Sequence, residues 1–299
     1  MKRALNLFIT LVFSFFFACH SPEIKSGKNI KINVDTESWV DHSRNDLIRK
    51  NERLAELDSL FRDKVLSESL FIAKKHLKLK KYKKDFFKVP SDTGINELRV
   101  NLTMGAIFNR NSKHLMVKII SSYYFSINIY SIENEKFIKV VSDKIDSNDG
   151  IDPTEIWDIN GDGLKDLIVH WYPESGCCLR DVNYVYLLRP NRKSFSLNYE
   201  FINPTFFPQE KIIRGVDYGH AEYTDLYKFR WRGDKVDTLE YVYYERIENK
   251  KTGMEEKTGR VVISKKAFDN KEIIARLNSV PKEFRNIFGY FWFTGKGLE

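Results

Sequence analysis

The stretch Ile156-Trp157-Asp158-Ile159-Asn160-Gly161-Asp162-Gly163-Leu164-Lys165-Asp166-Leu167-Ile168-Val169 decides how this chain is read. Oxygen-bearing side chains recur at alternate positions, Asp158, Asn160 and Asp162, and again at Asp166, with Gly163 at the sixth place of the loop. Alternation aims the first three side chains at one point. The glycine permits the sharp bend, and the carbonyl of Leu164 adds a fifth oxygen. A hard cation that takes six to eight oxygens in flexible geometry, calcium above all, is what such a loop expects. Asp149 or Asp152 would be a further ligand. Asp, Asn and Gly also favour ordinary turns, but a plain turn rarely sets all five in register. Val169 stands at the twelfth place, where an EF-hand carries its bidentate glutamate, so the loop is not an EF-hand. Apolar β-formers flank it on both sides, so it joins two strands.

Outward from the loop, the period-two pattern persists. Leu98, Val100 and Leu102 alternate, as do Ile127, Ile129 and Ile132, and Leu115 to Ile120 reads as a more buried strand. Beyond the loop, Val182 to Leu188, Tyr227 to Trp231, Leu239 to Tyr244 and Val261 to Ser264 continue it. Asn109-Arg110-Asn111-Ser112, Glu133-Asn134-Glu135, Arg232-Gly233-Asp234 and Lys250-Lys251-Thr252-Gly253 are turn candidates. A short late helix is expected over 271–277, and Glu255-Glu256 reads as a solvated pair in a polar turn. Short strands at regular spacing predict a mainly β fold: an antiparallel all-β domain, sheet or sandwich, with propeller-blade-like strands. The 22 Phe, 15 Tyr and 5 Trp, dense in the second half, favour folded β structure over disorder.

An N-terminal helical segment precedes this domain. Leu54, Leu57, Phe61 and Val65, then Leu66, Leu70, Ala73 and Leu77, recur at helical spacing, and Ser43 suits an N-cap. The segment ends in a lysine-rich run, Lys74 to Lys88. Such a run solvates and complements a helix C-terminus, or alternatively attracts anionic head groups.

The N-terminus reads as an export signal. Lys2 and Arg3 precede an apolar run from Ala4 through Ala18, shorter than the roughly 20 residues that cross a bilayer. It ends in Phe16-Phe17-Ala18-Cys19, which resembles the lipobox of bacterial lipoproteins. That resemblance implies cleavage before Cys19, diacylglycerol on its sulfur, and a membrane anchor. Removing Lys2 and Arg3 lowers the formal charge from +8 to +6. The expected organisation is a signal peptide over 1–18, a lipidated tether over 19–45, a helical segment over 46–90 and a β-rich calcium-binding domain over 91–299. The expected location is the bacterial envelope, at the outer membrane facing the periplasm, which makes nucleic acid an unsuitable partner.

The loop is similar to the calcium loops of FG-GAP repeats and dockerins. The order of helix, strands, Asp158–Asp166 loop, Val185-Tyr186-Leu187-Leu188, Asn203-Pro204-Thr205-Phe206 and Tyr227-Lys228-Phe229-Arg230-Trp231 resembles a family of calcium-binding periplasmic lipoproteins. Members of that family inhibit lysozyme as immunity proteins against effectors of type IV secretion. The resemblance implies a peptidoglycan hydrolase as partner and a contact loop at 216–223, with Tyr218, Gly219, His220 and Tyr223. This segment lacks the family's Ser-Gly and Gly-rich run, and by itself it reads as a hairpin loop. The alternative is a structural envelope module in which calcium only stabilises the fold.

Cys177-Cys178 are adjacent thiols in an exported chain, free or closed as a vicinal disulfide. Two thiols also attract a soft metal, but with no His or Cys nearby in sequence they fall short of a zinc site, and His170 alone does not complete one. Among the other histidines, His42, His76, His114 and His220 are scattered. No Gly-x-Ser-x-Gly, phosphate-cradling loop or His-Glu-x-x-His is present, and the chain is not expected to be an enzyme.

Overall fold

A computed structural model describes residues 36–91, 96–146, 152–173, 176–267 and 272–296, with side chains from residue 44. The signal over 1–18, Cys19 and the first part of the tether lie outside the described residues. The chain divides into two units, Met1–Lys50 and Asn51–Glu299. In the first, the described part is the opening of helix α1 (Thr36–Lys75). The helix therefore starts before Ser43, and the last ten residues of the expected tether are helical. No helix of the described residues is long and apolar enough to cross a membrane.

From Asn51 the described residues are mainly antiparallel β, with 15 strands in three sheets and no closed barrel among them. Each sheet is a meander of consecutive strands. The first holds β1 (Tyr82–Lys88), β2 (Leu98–Gly105), β3 (His114–Ile120), β4 (Phe125–Glu133) and β5 (Lys136–Ile145). The second holds β6 (Thr154–Trp157), β7 (Asp166–Trp171), β8 (Val182–Tyr186) and β9 (Tyr199–Ile202). The third holds β10 (Pro204–Phe207), β11 (Ile212–Val216), β12 (Leu226–Arg232), β13 (Lys235–Glu248), β14 (Glu255–Ser264) and β15 (Ile273–Leu277). A 3-10 turn at Lys282–Phe284 and a short helix α2 (Tyr290–Thr294) complete the described fold.

Period-two patterning explains how the sheets stack. In β3, Leu115, Val117 and Ile119 face a core shared with Val65 and Ala73 of α1, while Met116 and Ile120 face the second sheet. In β7, Leu167 and Val169 join that inter-sheet core, and Ile168 turns to the third sheet with Val185, Leu187, Ile213, Tyr227 and Trp231. The outer face of the third sheet, with Val216, Leu226, Val242 and Val261, is covered by Phe284, Ile287 and Phe293. Strands covered on both faces bury nearly every side chain, which is why β3 reads as one apolar run rather than a strict alternation.

Three expectations are corrected here. The helical segment does not extend to residue 90. It ends at Lys75, and Lys83, Lys84 and Lys88 stand on β1, paired with β2. Lys113 donates to the carbonyls of Leu77 and Leu79, at 2.5 and 2.6 Å, and so caps the turn that follows the helix. The expected late helix over 271–277 is instead β15, because Ile273 to Leu277 pairs with Val261 to Ser264 and hydrogen bonding to an available edge overrides local propensity. Glu255 and Glu256 open β14 and remain exposed.

The hairpin turns fall where their residues predict. Asn134 and Glu135 both take positive φ, 49° and 60°, between β4 and β5, and Gly233 takes 63° between β12 and β13.

Candidate functional site

Two sites stand out. The first is the loop between β6 and β7. Asp158 accepts the backbone N–H groups of Gly161 and Asp162 on Oδ1, at 2.8 and 3.1 Å, and that of Gly163 on Oδ2, at 2.8 Å. One carboxylate thus curls six residues around itself. Asn160 Oδ1 accepts Asp162 N–H at 3.1 Å, and Asp162 Oδ1 accepts Leu164 N–H at 2.8 Å. Positive φ at Gly161 and Gly163, 72° and 84°, makes the reversal accessible without Cβ strain.

Asp166, fully buried, does something different. Its Oδ2 accepts Ile159 N–H at 3.0 Å and its Oδ1 accepts Leu188 N–H at 2.8 Å, so it ties the loop's entry to the segment that follows β8. Burial pushes its carboxyl up to about 7, opposed by those two amide bonds and reinforced by the charges of Asp162 and Asp158. Ile159 is buried in the core between the second and third sheets, which roots the loop.

All the oxygens of this loop are hard donors. Asp158 Oδ1 is filled by its two N–H groups, whereas Asp158 Oδ2 and Asp162 Oδ1 accept one each and keep a second lone pair for a cation. The three carboxylates do not gather into one tight cluster. Asp152 is engaged elsewhere, accepting the Lys118 ammonium and the Thr154 hydroxyl, the latter at 2.7 Å. Asp149 lies outside the described residues.

The second site joins two loops far apart in sequence. Cys177 and Cys178 lie between β7 and β8, and His220 lies between β11 and β12. Both thiols are free, with their sulfurs 2.7 Å apart, and His220 Nδ1 is 3.8 Å from each of them. Burial and the neighbouring Cys177 push the Cys178 thiol up, while a hydrogen bond with Tyr218 pulls it down.

Asn203 assembles the two loops. Wholly buried and at φ 49°, it accepts Asp181 N–H on Oδ1 at 2.8 Å, and its Nδ2 donates to the carbonyls of Leu179 and Val216, both at 3.0 Å. The β11–β12 loop is held from the other side. Trp292 Nε1 donates to Gly219 O at 2.8 Å, and Glu222 N–H donates to Trp292 O at 3.0 Å.

Compared with protein-family models, curated proteins and solved structures, the chain matches none.

The segment expected as a contact loop is therefore a braced hairpin connection, tied to α2 at Gly219 and Glu222. Its tyrosines still reach solvent, with Tyr218 45% and Tyr223 56% exposed. Each lies under an arginine: the Arg180 guanidinium is 5.1 Å from the Tyr218 ring centroid and that of Arg246 is 3.7 Å from Tyr223. His220 beside the cysteine pair is the residue that sequence spacing misses, because 42 positions separate it from Cys178. His170 stays on β7, where its backbone pairs with Asn183.

Proposed function

We propose that this chain is a membrane-anchored, calcium-binding lipoprotein of the bacterial envelope that acts by binding a protein, with a cell-wall hydrolase as the partner class. The observation that carries this reading is the Asp158 carboxylate gathering the amides of Gly161, Asp162 and Gly163. That network shapes a loop whose exposed donors are all oxygens. Calcium there would be held by Asp158, Asn160 and Asp162, by the Leu164 carbonyl and by Asp166, and would neutralise acidic charge between β6 and β7. Anchorage rests on the Ala18-Cys19 junction at the end of the apolar leader.

Titration calorimetry on the purified chain tests the metal. One calcium per chain, lost in Asp158→Ala, supports the reading, and absence of heat at millimolar calcium refutes it. Mixing the protein with lysozyme-type hydrolases and following lysis of cell walls tests the partner class. Inhibition that weakens in Tyr218→Ala or Tyr223→Ala supports it, and undiminished lysis at saturating protein refutes it.

The bracing of the 217–225 connection by Trp292 and Asn203 favours a second reading, in which the loop is architectural and calcium serves the fold alone. On that reading loss of calcium lowers the melting temperature and leaves every hydrolase untouched.

A further inference from the structure

We infer that Cys177, Cys178 and His220 form a binding site for one thiophilic d10 cation, Cu(I) or Zn(II), separate from the Asp158–Asp166 loop. Among the described residues, this is the one group of three or more His, Cys, Asp or Glu side chains whose ligand atoms all lie within 4.8 Å of one another. Two sulfurs and one imidazole nitrogen are soft or borderline donors, the set that selects Cu(I) and Zn(II) over calcium or magnesium.

The distances suit such an ion. A metal at about 2.3 Å from sulfur and 2.0–2.1 Å from nitrogen in trigonal or tetrahedral geometry sets sulfur and nitrogen roughly 3.6–3.8 Å apart. His220 Nδ1 stands 3.8 Å from both sulfurs. The sulfurs, at 2.7 Å from each other, have to open by about 1 Å to share the ion. That adjustment is one of side-chain rotation, since Cys177 is exposed. On binding, each thiol releases its proton to solvent and its sulfur takes the cation as thiolate.

The surroundings are built rather than incidental. Asn203 bolts Leu179, directly after the pair, to Val216, at the start of the segment that carries His220. Trp292 fixes Gly219, the residue before His220. Tyr218 hydrogen-bonds Cys178 and so borders the site, where water would supply the fourth ligand that Zn(II) prefers and a three-coordinate Cu(I) does not need.

The test uses the full chain carrying Cys19→Ser, so that the pair supplies the only thiols, reduced and kept free of oxygen. Zn(II) and Cu(I) are each titrated against a chromophoric chelator. The expected result is one equivalent of at least one ion, more than tenfold weaker in His220→Ala and in either Cys→Ser variant, with melting curves showing that the variants are folded. A second measurement needs no variant: the bound ion protects both thiols from alkylation, and a chelator restores the reaction. Uptake unchanged by His220→Ala overturns the site. So does a reduced protein that takes up neither ion, or one whose thiols stay fully open to alkylation with either ion in excess.

Discussion

The carboxylate of Asp166 accepts the backbone N–H of Leu188 at 2.8 Å, across 22 residues of sequence. With its other oxygen on Ile159 N–H, it holds the β6–β7 loop to the segment that follows β8. Asp166→Ala orphans two buried amides, each costing about 1–3 kcal/mol, so urea unfolding should show a loss of about 2–6 kcal/mol. Asp166→Asn keeps one acceptor and should lose less. An unshifted midpoint in the alanine variant would remove the residue from this role.

Calcium should stabilise the protein by mass action. At a hundred times its dissociation constant, a ligand bound only by the native state contributes about 2.7 kcal/mol. The melting temperature should rise with calcium, fall back with chelator, and stay indifferent to both in Asp158→Ala and Asp162→Ala. Magnesium, which demands a tighter octahedron, should act more weakly.

The two loop glycines should respond unequally. A Cβ on Gly161 would meet Pro208 O at 2.1 Å, on backbone that cannot swing aside, whereas one on Gly163 would meet nothing within 4 Å. Both stand at positive φ. Gly163→Ala should therefore cost about 1 kcal/mol of backbone strain. Gly161→Ala should cost distinctly more and also loosen the contact with the β10–β11 turn, read as a lower unfolding midpoint and faster amide exchange at Ile159.

Stability should respond to acid through His114 and Asp225 in opposite senses. His114 is fully buried, with neither ring nitrogen hydrogen-bonded, against the edges of Phe108 and Phe195, and burial lowers its pKa to about 4. The unfolded chain protonates it near 6.5 and the native state does not. Stability is thus lost as pH falls from about 6.5 to about 4, by on the order of 3 kcal/mol. Asp225 has its carboxyl raised to about 7, by burial first and by the Asp217 charge second. The native state keeps that proton longer, so this group takes stability away as pH rises from about 4 to about 7. The two slopes oppose each other in the wild type. His114→Leu should expose a stability that falls toward neutrality, to which Asp166, also raised to about 7, adds, and Asp225→Asn should make that fall shallower than in the wild type. Urea midpoints from pH 4 to 8 in both variants give the check, and parallel profiles would contradict the assignment.

Strands, turns and the β6–β7 connection were legible because they depend on local rules. Alternation marks Leu98, Val100 and Leu102, and Gly233 marks its turn without reference to any distant residue. The lysines of β1 misled because charge composition resembles a helix end, while their pairing with β2 is a tertiary fact. Ile273 to Leu277 became a strand for the same reason. The Cys177–Cys178–His220 group was out of reach of spacing altogether. It depends on Asn203, whose side chain bridges two connections of different sheets, and nothing in the local sequence announces such a bridge. Asp166 was legible as an oxygen donor. That its oxygens also serve Ile159 and Leu188 follows only from the fold.

Because each sheet is assembled from strands that follow one another in the chain, hydrogen-bonded pairing asks only for short loop closures, and distant segments meet later through greasy faces. Such an array behaves almost as a one-dimensional pile, with every layer answering chiefly to the layer on either side. Damage at one end, such as trimming the aromatic cover of the third sheet, should weaken its immediate neighbour first and reach the helix-covered sheet last. A molecule so arranged can lose or lengthen one tier in evolution without relearning the others.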